Sequence, residues 1–339
     1  MSYFTNSLLT IRFVSGALAA NREKGACHRY VKKIAANEIR KSHELNDGSI
    51  SRTDYLKIQW YMVTTLYLGK LLSQLRPEKL TPDEKRSLIY LGALMAVTDL
   101  MVDDHQLEKE KLIRLMTNEQ ERKRNDLSAI ERILLLYYQQ LLTVIDKDKK
   151  KMIHDFSLLK PQIESHNQHS GNITESEAME HTRRKGGSAL LMVASLLFNM
   201  TEQNKVTFYQ LGVFIQLMND SQDLPKDIRS GITTFISFQN SYEDIRQILE
   251  EEFKKTAILF SDNDFPEKGV YRLLFNFHAL LTGIAFKLHR YSDITGNTID
   301  SGRIQRTDKT RFRIHMFSLN SMTYCLPKIL KFDTNFSHA

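Results

Sequence analysis

Two short acidic segments carry the side chains of this chain that are best suited to chemistry. Each segment places carboxylate or amide groups four residues apart, so that these groups share one face of a helix. The first is Asp99-Leu-Met-Val-Asp103-Asp104, and the second is Asn219-Asp220-Ser-Gln-Asp223-Leu-Pro-Lys-Asp227. Like charges at this spacing repel each other, and their oxygen atoms are the ligands that Mg²⁺ prefers. The spacing therefore predicts sites for a divalent cation.

The first segment follows an apolar stretch, residues 88–97, which predicts a buried helix. Carboxylates that are buried without a counter-charge are costly, and acidic groups at the C-terminal end of a helix also meet the negative end of its dipole. We therefore expect a cation beside Asp99 and Asp103, and Mg²⁺ is the simplest candidate. The alternative is a solvated helix end whose carboxylates face water or pair with Lys109 and Lys111.

The second segment continues a helix face that is apolar in its upper part. The face runs from Phe208 and Gly212, through Ile215 or Gln216, to Asn219, Asp223 and Asp227. This order predicts a helix that lines an apolar cavity and carries a metal site at the mouth of that cavity. Pro225 lacks the N–H that would bond to residue 221. The helix should therefore kink or restart there, so that Asp227 need not align with Asp223.

A basic segment between the two acidic segments supplies the opposite charge. It is His181-Thr-Arg183-Arg184-Lys185-Gly-Gly. Arginine binds anionic oxygens through paired hydrogen bonds and lysine acts as a point charge, so this segment is suited to a diphosphate that is held between cations and metal ions. The two glycines permit close approach to a ligand or to another helix. The alternative is a basic patch on the surface.

The composition indicates the kind of fold that positions these segments. The 339 residues include only 14 Gly and 6 Pro, and 42% are apolar. Such a chain is typical of an all-α protein, and an all-β or disordered chain is excluded. We find no linker or internal repeat, so we expect a single helical domain over residues 1–339. Two distant cysteines indicate a reducing compartment, hence a cytoplasmic protein, and the net charge of +7 favours anionic partners.

Helical periodicity predicts about eight to ten helices in a bundle. The clearest cover residues 58–75, 82–104, 128–145, 174–200, 204–224, 242–260, 268–291 and 308–330. We expect residues 147–151 to be a solvated connection or a helix end, and residues 292–307 to form a loop or lid. The apolar stretch 7–20 contains Arg12, so it predicts an amphipathic helix and not a secretion signal. No apolar run reaches the roughly 18 residues that are needed to span a bilayer.

The acidic and basic segments resemble those of the class I isoprenoid synthase superfamily, which comprises all-α prenyltransferases, squalene and phytoene synthases, and class I terpene cyclases. The segment from Asp99 to Asp104 resembles the first Asp-rich motif. The second segment is similar to the squalene-synthase DxxxD motif at Asp223 and Asp227, and also to the cyclase motif that begins at Asn219. The resemblance implies a helical bundle around a central apolar cavity. It also implies about three Mg²⁺ ions, or Mn²⁺ in their place, that hold the diphosphate of a prenyl substrate.

The resemblance also implies roles for individual residues. The implied metal ligands are Asp99, Asp103, Asp104, Asn219, Asp220, Asp223 and Asp227. The implied catalytic residues are Asp99, Asp103, Asn219, Asp223 and Arg183. The implied substrate-binding residues are Arg183, Arg184, Lys185, Arg290, Tyr291, Phe208 and Gly212. Of the aromatic side chains, Phe208 is the best placed to stabilise a carbocation, because it shares the helix face of Asn219.

The favoured hypothesis is a Mg²⁺-dependent class I terpene synthase that ionises an allylic prenyl diphosphate, releases diphosphate and forms a cyclic terpene. The alternative enzyme is a squalene-type, phytoene-type or other prenyltransferase that condenses prenyl diphosphates. A different class of function is a basic helical protein that binds RNA or a membrane surface, for which the arginines and lysines of residues 303–313 would supply the charge. The enzyme hypothesis expects no nucleic-acid partner and no transmembrane segment, and it allows a homodimer.

Overall fold

The computed structural model of the chain describes residues 22–103, 109–154, 173–314, 319–329 and 332. These residues form fourteen α-helices and, among themselves, no β-strand. The all-α fold that the sequence predicts is therefore confirmed. The helix predicted over residues 7–20 lies outside the described residues, as does Asp104.

The described residues fall into two compact units, each formed by stretches that are not contiguous in sequence. The N-terminal unit comprises residues 22–103, 109–154 and 191–200, and the C-terminal unit comprises residues 173–190, 201–314, 319–329 and 332. The first acidic segment belongs to the N-terminal unit. The second acidic segment and the basic segment both belong to the C-terminal unit.

Eight helices lie wholly in the N-terminal unit. They are α1 (22–34), α2 (Ala36–Glu44), α3 (Arg52–Leu72), α4 (Pro82–Asp103), α5 (Lys109–Thr117), α6 (Glu119–Arg122), α7 (Ala129–Val144) and α8 (Lys147–His154). Helix α4 packs against both α3 and α7. Every residue from 87 to 94 is buried, because these residues are apolar or small around the whole circumference of the helix. The helices predicted over 58–75, 82–104 and 128–145 are thus confirmed, with small shifts at their ends.

The start of α4 is held by a capping box. The Glu84 N–H donates to Thr81 Oγ1 at 3.1 Å, and the Thr81 N–H donates to Glu84 Oε2 at 2.8 Å. The Glu84 carboxylate also accepts both guanidinium nitrogens of Arg76, at 2.7 and 2.6 Å. This paired contact joins the end of the 3₁₀ turn Ser73–Leu75, which follows α3, to the start of α4.

Residues 147–151, for which the sequence predicts a solvated connection or a helix end, form the first part of α8. The Asp146 carboxylate accepts the Lys149 N–H at 2.9 Å. An aspartate in this position satisfies one of the unpaired N–H groups of the first helical turn. The four lysines of residues 147–151 therefore lie on a capped helix.

Five helices lie wholly in the C-terminal unit, which also contains residues 175–190 of α9 (Glu175–Ser195). The five are α10 (Glu202–Ser230), α11 (Tyr242–Ser261), α12 (Glu267–Thr295), α13 (Ser301–Arg306) and α14 (Leu319–Ile329). Helix α11 packs against α10 and α12, and α12 also packs against α14. The helices predicted over 174–200, 204–224, 242–260 and 268–291 are confirmed, although α9 ends earlier than predicted and α10 ends later.

Helix α10 continues through Pro225, and the predicted restart at this residue is not observed. Proline removes only one hydrogen bond of the helix, and Leu224 and Pro225 are both buried, so packing on each side compensates for that loss. The helix ends instead at Gly231, whose φ of 68° is the left-handed conformation that glycine adopts readily. Asp223 and Asp227 consequently lie on consecutive turns of one continuous helix.

The loop or lid predicted over residues 292–307 is partly helical. Helix α12 extends to Thr295, and α13 occupies Ser301–Arg306. The Asp300 carboxylate accepts the Arg303 N–H at 3.0 Å and so caps α13. The predicted last helix is also divided, into a 3₁₀ turn at Lys309–Phe312 and α14, with residues 315–318 outside the described residues.

Among the described residues, α12 alone is long and apolar enough to cross a membrane by length and composition. However, 61% of its apolar window is buried inside the protein. Burial of this kind is typical of a helix that packs in the core of its own unit.

Candidate active site

Asp99 of the first acidic segment forms an ion pair with a lysine of the protein itself. Lys57 Nζ, from α3, lies 2.9 Å from Asp99 Oδ2. The Tyr61 hydroxyl donates a hydrogen bond to the same oxygen at 3.3 Å. The cation observed beside Asp99 in the described structure is therefore Lys57.

The alternative partner Lys111 pairs with a different carboxylate. Its Nζ lies 2.6 Å from Glu131 Oε1, and the Glu131 side chain is 1% exposed. Burial acts to raise the pKa of Glu131, but Lys111 and the hydrogen bonds from Ser128 outweigh it, so that the pKa lies below its usual value. The pair is a structural link between α5 and α7.

The close approach of α3 and α4 depends on Gly92. A Cβ atom at this position would lie 2.7 Å from the Tyr61 carbonyl oxygen and 2.8 Å from Thr65 Oγ1. Only glycine lets the two helices come so near each other. Asp99 lies two turns further along α4, where this proximity brings it within reach of Lys57 and Tyr61.

The remainder of the first segment lies at the edge of the described structure. Asp103 is the last residue of α4, and its side chain and Asp104 are outside the described part. The roles of these two aspartates as metal ligands stay predictions.

In the C-terminal unit, Asp220 is the most enclosed carboxylate of the second segment, at 5% exposure. It accepts hydrogen bonds from Gln216 Nε2 at 2.7 Å and from Thr182 Oγ1, on α9, at 3.2 Å. Burial raises the pKa of Asp220 to about 6, and the charge of Asp223 adds to this rise. The two hydrogen bonds and the charge of Lys185 act in the opposite direction.

Asp227 is also buried, at 7% exposure. Burial and then the charges of Asp223 and Asp220 raise the pKa of Asp227 to about 7, while Lys226 and Lys185 act in the opposite direction. No described residue donates a hydrogen bond to its carboxylate. The three aspartates are thus electrostatically coupled, and Asp227 is a buried carboxylate without a direct partner among the described residues.

The arrangement of these groups differs from the predicted stripe. Asn219 is exposed. The carboxylates that lie together are Asp220, Asp223 and Asp227, which are separated by three and then four residues and share one side of α10. The metal-ligand roles of all four residues stay predictions.

Two residues expected to contact substrate pack within the protein instead. Phe208 is fully buried, and its ring centroid lies 6.0 Å from that of Phe260 and 5.7 Å from that of Phe265. A Cβ atom on Gly212 would lie 2.3 Å from the Gly186 carbonyl oxygen. Of the two possibilities for the glycines, close packing of helices α9 and α10 is therefore the one observed, and Phe208 belongs to an aromatic core.

That contact positions the basic segment beside the acidic one. Lys185, next to Gly186 on α9, is half-buried and opposes the rise in the pKa of both Asp220 and Asp227. Arg184 is half-buried as well, whereas Arg183 is exposed. The charges of both arginines act to lower the pKa of Tyr209, although burial raises it overall.

Lys287 of α12 is a residue of this site that the motifs do not predict. Its Nζ lies 3.1 Å from Gln222 Oε1. Burial lowers the pKa of Lys287, and the charge of Asp223 opposes that change. A signal does exist in the sequence, because Lys287 is the single Lys, Arg, Asp or Glu in the mainly apolar stretch 273–288.

The predicted pair Arg290 and Tyr291 separates into two environments. The Tyr291 hydroxyl donates to the Gln222 carbonyl oxygen at 3.0 Å, one residue from Asp223, and burial raises its pKa. Arg290 is exposed and pairs with Asp293 at 2.8 Å. Tyr291 is thus part of the site, while Arg290 forms a surface ion pair.

A basic cavity of about 480 Å³ adjoins Gln222 and Tyr291. Its charged lining residues are all cations, namely Lys226, Arg229, Lys309 and Arg313. Arg229 donates to the carbonyl oxygens of Ile304 and Thr307, at 2.9 and 2.7 Å, and its guanidinium lies 4.9 Å from the Phe312 ring centroid. The C-terminal unit therefore combines coupled carboxylates with a cationic cavity that an anion could enter.

The carboxylates of α10 fit Mg²⁺ by the chemistry of their oxygen atoms and by the burial of Asp227 without a direct partner. Within the described residues, no three His, Cys, Asp or Glu side chains converge as a complete cage for a metal. Mg²⁺ needs no such cage, because it keeps several waters and is commonly bound by one or two carboxylates together with substrate phosphates.

No family model matches the sequence, and no curated protein matches it. The solved structures that are similar to the chain include the following two. A dehydrosqualene synthase matches 92% of this chain and 96% of its own length, with 15% identity and a TM-score of 0.46. A geranyltransferase from Legionella pneumophila matches 79% of this chain and 99% of its own length, with 14% identity and a TM-score of 0.42.

Proposed function

We propose that this chain is a Mg²⁺-dependent class I isoprenoid synthase that ionises an allylic prenyl diphosphate, releases diphosphate and cyclises the resulting carbocation to a terpene. The observation that carries the proposal is Asp227, which is buried on α10, coupled to Asp220 and Asp223, and without a hydrogen-bond donor among the described residues. A carboxylate in this state is stabilised when a divalent cation binds it.

Each group of the C-terminal unit takes a part that follows from its position. Mg²⁺, when bound, would neutralise charge that develops on the leaving diphosphate. Asp223 and Asp227 would hold the cation, while Thr182 and Gln216 fix the carboxylate of Asp220. Lys185, with Arg184 and Arg183, donates to the diphosphate oxygens, which favours breakage of the allylic C–O bond.

Lys287 and Tyr291 position the backbone and side chain of Gln222, next to Asp223. In the N-terminal unit, the proposal assigns Asp99, Asp103 and Asp104 to metal binding as well. Binding of a cation by Asp99 would release Lys57 from its ion pair and leave it free to bind an anionic oxygen.

A second candidate is the condensation of two prenyl diphosphates. It is favoured by the continuity of α10 through Pro225, which keeps Asp223 and Asp227 one turn apart. Two carboxylates at this spacing correspond to the DxxxD motif of squalene-type enzymes, whereas the cyclase motif has a hydroxyl group in place of the first carboxylate.

The test incubates the full chain with geranyl, farnesyl or geranylgeranyl diphosphate, in Mg²⁺ or in EDTA, and measures released diphosphate and the extracted hydrocarbons. Cyclisation yields a product with the carbon number of one substrate, and condensation yields the combined number of two. No diphosphate release in Mg²⁺ from any of the three substrates would contradict both candidates.

Variants connect the activity to the acidic groups. Asp223→Asn should lower diphosphate release by at least about 100-fold, because it removes a charge that acts in the transition state. Glu202→Gln is the matched control, since Glu202 lies on the same helix with its side chain 89% exposed. For Asp99→Asn, the control is the exposed Asp83 at the other end of α4.

A further inference from the structure

The outer surface of α3 exposes two large apolar side chains. Leu56 is 57% exposed and Trp60 is 53% exposed. They follow the exposed Arg52 at successive intervals of four residues, so the three side chains form one stripe along the helix. Exposed aromatic and aliphatic side chains next to each other indicate a binding surface more often than chance exposure does.

The helix beside this stripe is strongly basic. Helix α1 contains five Lys or Arg residues and a single carboxylate, Glu23. Glu23 is already paired with Lys70 of α3. The acidic residue nearest in sequence to the stripe of α3 is Asp54, which forms a capping box with Ser51. The carboxylates of Glu23 and Asp54 therefore do not neutralise the excess positive charge of α1.

Lys24 joins the apolar stripe to the basic helix. Its Nζ lies 3.6 Å from the centroid of the Trp60 ring. His28 and Lys32 follow Lys24 at intervals of four residues, so they extend the same edge of α1, and both are exposed. Trp60 thus has an apolar neighbour along its own helix and a row of basic side chains beside it, of which Lys24 and Lys32 carry the positive charge.

We propose that this face, formed by Leu56, Trp60, Lys24, His28 and Lys32, docks the protein on an anionic lipid bilayer. Tryptophan is suited to the membrane interface because it has a large apolar ring and one polar N–H. Lysine side chains near such a ring lay their methylene groups on apolar surface and keep the ammonium group at the level of the lipid phosphates. A neutral partner would contact the apolar residues but would leave Lys24 and Lys32 without opposite charges.

The test uses the full chain and the fact that Trp60 is its single tryptophan. Vesicles of phosphatidylcholine with phosphatidylglycerol are compared with vesicles of phosphatidylcholine alone, at about 0.1 M and about 1 M NaCl. The emission of Trp60 should shift to shorter wavelength only with the anionic vesicles and at the lower salt concentration. Sedimentation of the protein with the vesicles should show the same dependence.

Two pairs of variants separate the contribution of Trp60 to vesicle binding from that of the lysines. Trp60→Ser should weaken sedimentation with anionic vesicles by roughly tenfold or more, whereas Val206→Ser, at a residue that is 56% exposed on α10, should not. Lys24→Gln with Lys32→Gln should weaken it by roughly 30-fold. Lys79→Gln with Lys254→Gln removes the same charge at two other exposed sites and should have little effect. Circular dichroism checks that each variant is folded.

Several results would overturn the proposal. One is sedimentation with anionic vesicles that leaves the emission of Trp60 unchanged. Another is an equal loss of binding in the two lysine pairs, which would mean that net charge acts without this face. A shift of emission on raising the protein concentration without vesicles would identify a second copy of the chain as the occupant.

Discussion

Lys57 and Asp99 form an ion pair of 2.9 Å between adjacent helices of the N-terminal unit. The apolar surroundings of Asp99 require a cation, and a lysine from α3 meets that requirement without a metal ion. The structure therefore explains the burial of this carboxylate by packing alone. A metal ion that binds Asp99 must compete with Lys57. The ion pair therefore opposes metal binding at the first acidic segment.

Substitution of Lys57 by methionine should lower the free energy of unfolding by about 1–2 kcal/mol, because it leaves Asp99 partly buried without its counter-charge. Urea unfolding followed by circular dichroism measures the loss. The double variant Lys57→Met with Asp99→Asn should lose less than the sum of the two single losses. Strict additivity would show that the pair contributes nothing to stability.

The buried aspartates of α10 should make the metal-free protein less stable at neutral pH than in weak acid. The unfolded pKa of Asp227 is 3.8, and burial followed by the charges of Asp223 and Asp220 raises the folded pKa to about 7. Below pH 3.8 both states are protonated and no penalty exists. Between pH 3.8 and about 7 the unfolded state binds fewer protons than the folded state, so stability falls as the pH rises.

Thermal unfolding in EDTA from about pH 5 to about pH 8 measures this dependence. Asp227→Asn should flatten the curve and raise the Tm most at the alkaline end. Glu202→Gln, at an exposed position of the same helix, should keep the slope of the original protein. Identical slopes for the original protein and Asp227→Asn would mean that Asp227 keeps an ordinary pKa.

Addition of Mg²⁺ should raise the Tm more at about pH 8 than at about pH 6, since the metal binds ionised carboxylates and must displace protons from them at the lower pH. Differential scanning calorimetry with and without EDTA provides the measurement. The increase should be absent in Asp227→Asn and retained in Glu202→Gln. An equal increase at both pH values would place the metal away from the raised carboxylates.

Gly212→Ala should destabilise the C-terminal unit by about 2–3 kcal/mol, because the added Cβ would lie 2.3 Å from the backbone oxygen of Gly186. Gly25→Ala is a suitable control. The nearest atom to its added Cβ is the end of the flexible Arg29 side chain, at 3.7 Å. The control should gain about 0.5–1 kcal/mol from helix propensity. Equal changes in chemical unfolding for both variants would contradict the close contact between α9 and α10.

The local elements of the fold were predictable because they depend on neighbours in sequence. Periodic apolar residues predict α3, α4, α7 and α9 to α12. At the start of α9, the Glu177 N–H donates to Thr174 Oγ1 at 3.3 Å, a local contact that the sequence Thr-x-x-Glu favours. The structure differs from the prediction at Pro225, where the helix does not restart, and at residues 292–307, where a capping aspartate supports a short helix.

The acidic and basic segments and their spacing are properties of the sequence alone, because four-residue intervals place side chains on one face of any helix. Which carboxylates lose water, and which cations lie beside them, depends on helices that are distant in sequence. Lys57 reaches Asp99 because Gly92 lets α3 approach α4, and Lys185 faces Asp220 because Gly186 and Gly212 let α9 approach α10. Since desolvation and charge pairing arise only after such packing, only the tertiary structure decides that Phe208 packs against other aromatic rings and that Asp227 is buried without a hydrogen-bond donor among the described residues.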